Sequence, residues 1–174
     1  MSRPSYEYDP ARGAGVSVDP ARDALARRLA AIVGTAFLVV GVLGFVPGVT
    51  ENLDQIEFAG HESGAELFGI FQVSVLHNIV HLLFGVAGLA LARRASWARA
   101  FLIGGGLIYL GLTVFGWAVD QSDEANFIPV NEADDWLHLG LGVGMVLFGL
   151  LTLPRRGTVD RRPPVGQRPG SAPT

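Results

Sequence analysis

The chain has 174 residues, 49% of them hydrophobic and only 17% charged, which makes it too apolar for an ordinary soluble domain with about a quarter of its residues charged. It contains no Cys, which excludes disulfide scaffolds, thiolate metal sites, iron–sulfur clusters and cysteine nucleophiles. All 13 basic residues are Arg, which removes Schiff-base and P-loop lysine chemistry, and the net charge of −3 argues against nucleic acid as a partner.

Residues 1–25 are polar and without period, and read as a disordered cytoplasmic tail ahead of a membrane domain over residues 26–153. Within that domain four apolar stretches, about 29–46, 67–92, 97–119 and 136–153, are near or above the roughly 18–20 residues that cross about 30 Å of hydrocarbon as a helix. They lack strand alternation and are rich in Leu, Ala and Gly, and in lipid each segment must satisfy its own backbone amides. The expected fold class is therefore an all-α integral membrane protein, a bundle of four transmembrane helices. The first stretch ends at Pro47 and Gly48 without a cleavage signature, so it is expected to be retained. Residues 154–174 hold Arg and Pro with almost nothing apolar to bury, and read as a second disordered cytoplasmic tail.

Charge sets the expected orientation. Arg3, Arg12, Arg22, Arg27 and Arg28 precede the first stretch, Arg93, Arg94 and Arg99 lie around the short middle link, and the remaining five follow the last stretch. The positive-inside rule then places both termini and the middle link on the cytoplasmic side of a bacterial plasma membrane. The other two loops carry no Arg and most of the 16 acidic residues, among them Glu51, Asp54, Glu57, Asp120 and Asp123. Such loops are either a solvated face or a rim that concentrates cations.

The halves of the chain resemble each other. Gly34 and Gly41 can be set on Gly104 and Gly111, and His81 on His138, which also pairs Asn78 with Asp135 and His77 with Asp134. This predicts two parallel helical-hairpin repeats about an axis along the membrane normal. Small residues at Ala100 and Gly104, and at Gly140 and Gly144, are expected to mark close helix contacts.

The candidate site is a polar intramembrane cluster. His77, Asn78 and His81 interrupt the second stretch, and Asp134, Asp135 and His138 open the fourth. Ionisable groups inside a span are costly and point to function or to pairing. Four uses are open: an interhelical hydrogen-bond network, a divalent-metal site from His77, His81, His138 and Asp135, a His/Asp proton or ion relay, and bis-His haem between His81 and His138. No nucleophile elbow, phosphate loop or zinc-protease motif occurs, so no enzyme is expected, and no cofactor is the simplest expectation. Trp97, Trp117 and Trp136 stand at stretch ends as interfacial anchors. The expected partners are the lipid bilayer and a second copy or another membrane protein.

The segments Phe71-Gln72-Val73-Ser74-Val75-Leu76-His77-Asn78-Ile79-Val80-His81-Leu82 and Asn131-Glu132-Ala133-Asp134-Asp135-Trp136-Leu137-His138-Leu139 resemble the two signature segments of a four-span membrane family of unknown function, common in actinobacteria. The resemblance covers roughly residues 26–153. It implies a polytopic inner-membrane protein with no assigned catalysis, and it carries over no functional site.

Overall fold

The computed structural model describes residues 19–119 and 131–154. Both expected tails therefore lie mostly outside the described residues, as does most of the second acidic loop. Four helices dominate: α1 (Pro20–Leu43), α2 (Val75–Leu91), α3 (Ala95–Ala118) and α4 (Glu132–Leu151). Of these, α1, α3 and α4 are long and apolar enough to cross a membrane, whereas α2 is an apolar helix of 17 residues. The architecture is mostly helical, as an all-α membrane protein requires.

Two boundaries differ from the sequence reading. Helix α1 begins at Pro20, inside the segment expected to be a disordered tail. Proline suits the first helical position, where its missing N–H is not needed, and Asp23 in the first turn favours the helix dipole. Ala26 and Ala30 are then fully buried, so this turn has a packing partner as well as a start signal.

The second difference is larger. The apolar run from Leu67 onward does not open a helix. Thr50–Glu51 (β1), Glu66–Leu67 (β2) and Phe71–Gln72 (β3) form a small antiparallel sheet in the order β1-β2-β3. A three-stranded cap thus takes the place of the first turns expected for the second span. Phe68 and Gly69, both with positive φ, turn β2 into β3. Ala65, Leu67 and Val73 are buried beneath the cap against Val40, Leu43 and Ile56. The strands use the apolar residues that look like the start of a span. Helix α2 starts only at Val75, where the Ser74 hydroxyl accepts from His77 N–H at 3.1 Å as an N-cap.

Helices α1 and α2 pair as one hairpin, and α3 and α4 as another, with α1 and α3 meeting between them. In the first hairpin a Cβ on Gly34 would lie 3.0 Å from the Gly85 carbonyl oxygen and 2.9 Å from Leu89 N. In the second, a Cβ on Gly106 would lie 2.8 Å from the Gly142 carbonyl oxygen and 2.9 Å from Val146 N. Only glycine permits that backbone approach. By contrast, Gly104, Gly111, Gly140 and Gly144 face open space, so the expected small-residue contacts at Gly104 and at Gly140/Gly144 are not found among the described residues. The contact glycines of α3 stand elsewhere on the helix, and spacing alone did not say which face was turned inward.

Between the hairpins, the rings of Phe37 and Tyr109 lie 5.3 Å apart, with Phe84 within 5.8 Å of both. At the end of the bundle carrying the α1 N-terminus, arginines close the helix ends. Arg22 Nη1 donates to the carbonyls of Leu151 and Leu153, Arg27 Nε to Ala92 O, and Arg99 Nε to Thr152 O. Cations suit helix C-termini, where carbonyls lack intrahelical partners.

Candidate functional site

The two hairpins bring His77, Asn78 and His81 of α2 and Asp135 and His138 of α4 to the half of the bundle nearer the sheet. Asn78, His81, Asp134, Asp135 and His138 are all buried, and His77 is half-buried. The His77 and His81 rings stack at 4.4 Å, and His138 lies 6.5 Å from His77 between centroids. Phe37 meets His81 edge-on at 5.5 Å, and Tyr109 meets His138 edge-on at 5.2 Å. The imidazoles therefore converge, enclosed by aromatic rings.

Each polar side chain can be followed to its partner. Asn78 Nδ2 donates to the Gly44 carbonyl at 2.8 Å, just beyond the end of α1. Its amide fills the space where a Cβ of Gly44 would stand. His81 Nδ1 lies 3.0 Å from the His77 carbonyl oxygen. A carbonyl can only accept, so Nδ1 is the donor in this contact.

Asp134 belongs to a different device. Its Oδ2 accepts from Asn131 N at 3.1 Å and from Gln72 N at 3.0 Å, while Asn131 Oδ1 accepts from Asp134 N. This is a capping box that starts α4 and ties it to β3. Asn131 Nδ2 adds a bond to Ile70 O at 2.8 Å. The carboxylate expected to face the histidines instead holds the sheet against the second hairpin. Asp and Asn ahead of an apolar run are cap signals in sequence, and that reading competes with a site reading at the same residues.

Asp135 takes the seat on α4 that Asn78 takes on α2. Its carboxylate occupies the space beside Gly116, where a Cβ would collide with Oδ1. Here the chemistry differs, because among the described residues Oδ1 is buried without a hydrogen-bond partner, and so is Nδ1 of His138. A carboxylate offers no donor, so it cannot repeat the bond that the Asn78 amide makes.

Among the described residues no three His, Asp or Glu side chains converge with the geometry of a metal set. The metal candidates His77, His81, His138 and Asp135 thus share a region without forming a ligand group. Around the His81 and His138 rings, which a bis-His haem would need as its two ligands, His77, Phe37 and Tyr109 are packed instead. Sequence reasoning missed Phe37, Tyr109, Gly44 and Gly116. Their signal is a constant separation along the chain that relates Arg27, Gly34, Phe37 and Gly44 to Arg99, Gly106, Tyr109 and Gly116.

A family model described as domain of unknown function DUF4383 matches residues 27–151. No curated protein and no solved structure matches the chain.

Proposed function

The chain belongs to the DUF4383 family, and for it we propose a non-enzymatic, multi-pass protein of the bacterial plasma membrane that acts through interaction, as an accessory subunit or self-associating scaffold. It crosses the bilayer four times, with both termini in the cytoplasm, as two parallel hairpin repeats. The matched glycine contacts at Gly34 and Gly106, and the matched seats of Asn78 and Asp135, support the repeat. The arginines gathered at one end of the bundle support the orientation.

One observation carries the structural use of the polar cluster: its hydrogen bonds go to fixing helices. Asn78 holds the end of α1, Asp134 starts α4 and grips β3, and His81 bonds within α2. Such bonds set register at about 0.6–2 kcal/mol each in a membrane. Thermal unfolding of detergent-purified protein tests this, because His81→Leu and Asn78→Ala should each lower the midpoint. Unchanged midpoints with a lost cellular phenotype would reject a structural role. The Cys-free chain also allows topology to be read directly. A membrane-impermeant maleimide added to intact cells should label Glu57→Cys and spare Thr174→Cys.

A second reading, a proton relay, is favoured by the unpartnered Asp135 Oδ1 and His138 Nδ1. It requires proton flux in liposomes that falls when Asp135 is changed to Asn. Flux equal to that of empty vesicles ends it.

A further inference from the structure

The arginine end of the bundle is asymmetric. On the α3 side, Arg99 is buried, donates to Thr152 O and pairs with the carboxylate of Asp23. That guanidinium is neutralised. On the α1 side, Arg27 performs the same service for α2, its Nε donating to Ala92 O at 3.2 Å, yet it remains exposed. Asp23 stands one turn ahead of Arg27 on α1 but gives its carboxylate to Arg99. One turn ahead of Arg99 on α3 stands Ala95, so among the described residues the second hairpin returns no acid to Arg27.

In place of that acid there is a groove. It has a volume of about 460 Å³ and lies between the first turns of α1 and the end of α2. Arg27, Arg28 and Arg93 line it, with Ala24, Ala31 and Leu89 forming much of the apolar wall. Among the described residues no carboxylate lines it. Three guanidiniums around one concavity repel one another unless an anion sits among them, and the planar guanidinium fork suits phosphate oxygens.

We propose that this groove binds a phosphate-bearing anion, which in a bilayer is the phosphodiester headgroup of an acidic lipid whose acyl chains run down the adjoining apolar surface. Basic pockets between helices at the cytoplasmic face favour such headgroups. The lipid source rests on the membrane reading above; the anion chemistry does not. Arg27 supplies two functions, an end-cap for α2 and one arm of the site, whereas Arg28 and Arg93 serve the anion alone.

The test is native mass spectrometry of the full-length protein in detergent, with added phosphatidylglycerol, phosphatidylcholine or inorganic phosphate. The wild type should retain phosphatidylglycerol and not phosphatidylcholine. The double variant Arg28→Gln/Arg93→Gln should lose that adduct by about tenfold, given the strength of individual headgroup contacts. Arg94→Gln removes one such charge just outside the groove and should retain the adduct. Ala24→Leu fills the groove without changing charge and should also lose the adduct, which keeps the test valid should the double variant misfold. Displacement of the lipid by inorganic phosphate would assign the site to the free anion, and resistance to phosphate would assign it to the headgroup. Equal retention in wild type and double variant, or equal loss in Arg94→Gln, overturns the proposal. Failure of the membrane reading would show separately, as protein recovered from the aqueous fraction without detergent.

Discussion

In the α1–α2 hairpin the buried amide of Asn78 donates to the Gly44 carbonyl, whereas in the α3–α4 hairpin Asp135 occupies the matching seat against Gly116 with one oxygen unpartnered among the described residues. At the opposite end the relation reverses. There the α3–α4 hairpin is the satisfied one, with Arg99 paired to Asp23, and the α1–α2 hairpin holds exposed Arg27 beside Arg28 and Arg93. The glycine contacts that set the helix spacing are alike in both. Among the described residues, a shared backbone frame thus leaves the second hairpin a buried carboxylate oxygen without a donor and the first a group of arginines without a facing carboxylate, at opposite ends. Those two stations are where the molecule has chemistry to spare.

The frame itself should be the easiest thing to break. Gly34→Leu or Gly106→Leu drives a side chain into the facing backbone, and each should cost about 3 kcal/mol or abolish monodisperse protein, read by size-exclusion yield and thermal unfolding. Next come the arginines. Arg99→Gln strips the partner from Asp23 and from Thr152 O in a buried setting, and should destabilise by about 2 kcal/mol. Arg27→Gln, at the exposed counterpart, should cost under about 1 kcal/mol in the same melt. A reversed order would mean that the two ends are not equivalent in the way described.

The polar seats give smaller and opposite effects. Asn78→Ala should destabilise by about 1 kcal/mol, because the Gly44 carbonyl loses its donor. Asp135→Asn should raise the unfolding midpoint by a comparable amount, because an amide supplies the donor that the carboxylate lacks. The smallest effect is expected at Gly140→Leu, within about 0.5 kcal/mol, since a side chain there meets open space. A large loss at Gly140 would instead reveal a partner seated on that face.

The helices were legible because long apolar runs admit few alternatives, and helical spacing put His77 and His81 on one face, whereas their meeting with His138 was expected only from the likeness of the two halves. The cap over Glu66–Gln72 was not legible. Leu67, Phe71 and Val73 are as apolar as the helix that follows, and a continuous run does not reveal whether it is buried by a bilayer or beneath a small sheet. Ser74 was the available stop signal, as the cap that starts α2. Asp134 was misread for a related reason: a carboxylate at a helix start looks the same in sequence whether it caps or reacts. The glycine pairing slipped because α3 carries Gly104, Gly105 and Gly106 in succession, and only Gly106 meets Gly142 at backbone distance. Phe37 and Tyr109 would have fixed the alignment.

The brevity of α2 has a consequence of its own. At 17 residues it extends about 25 Å, short of a typical hydrocarbon slab, while α1 and α3 extend about 36 Å over 24 residues each. If all four cross, the bilayer must pinch on the α2 side and swell or let its longer neighbours lean on the other, so the surrounding lipid is deformed unevenly. Hydrophobic mismatch of that kind draws short-chain lipids to one flank and gives like-shaped proteins a reason to cluster there, without any specific contact between them.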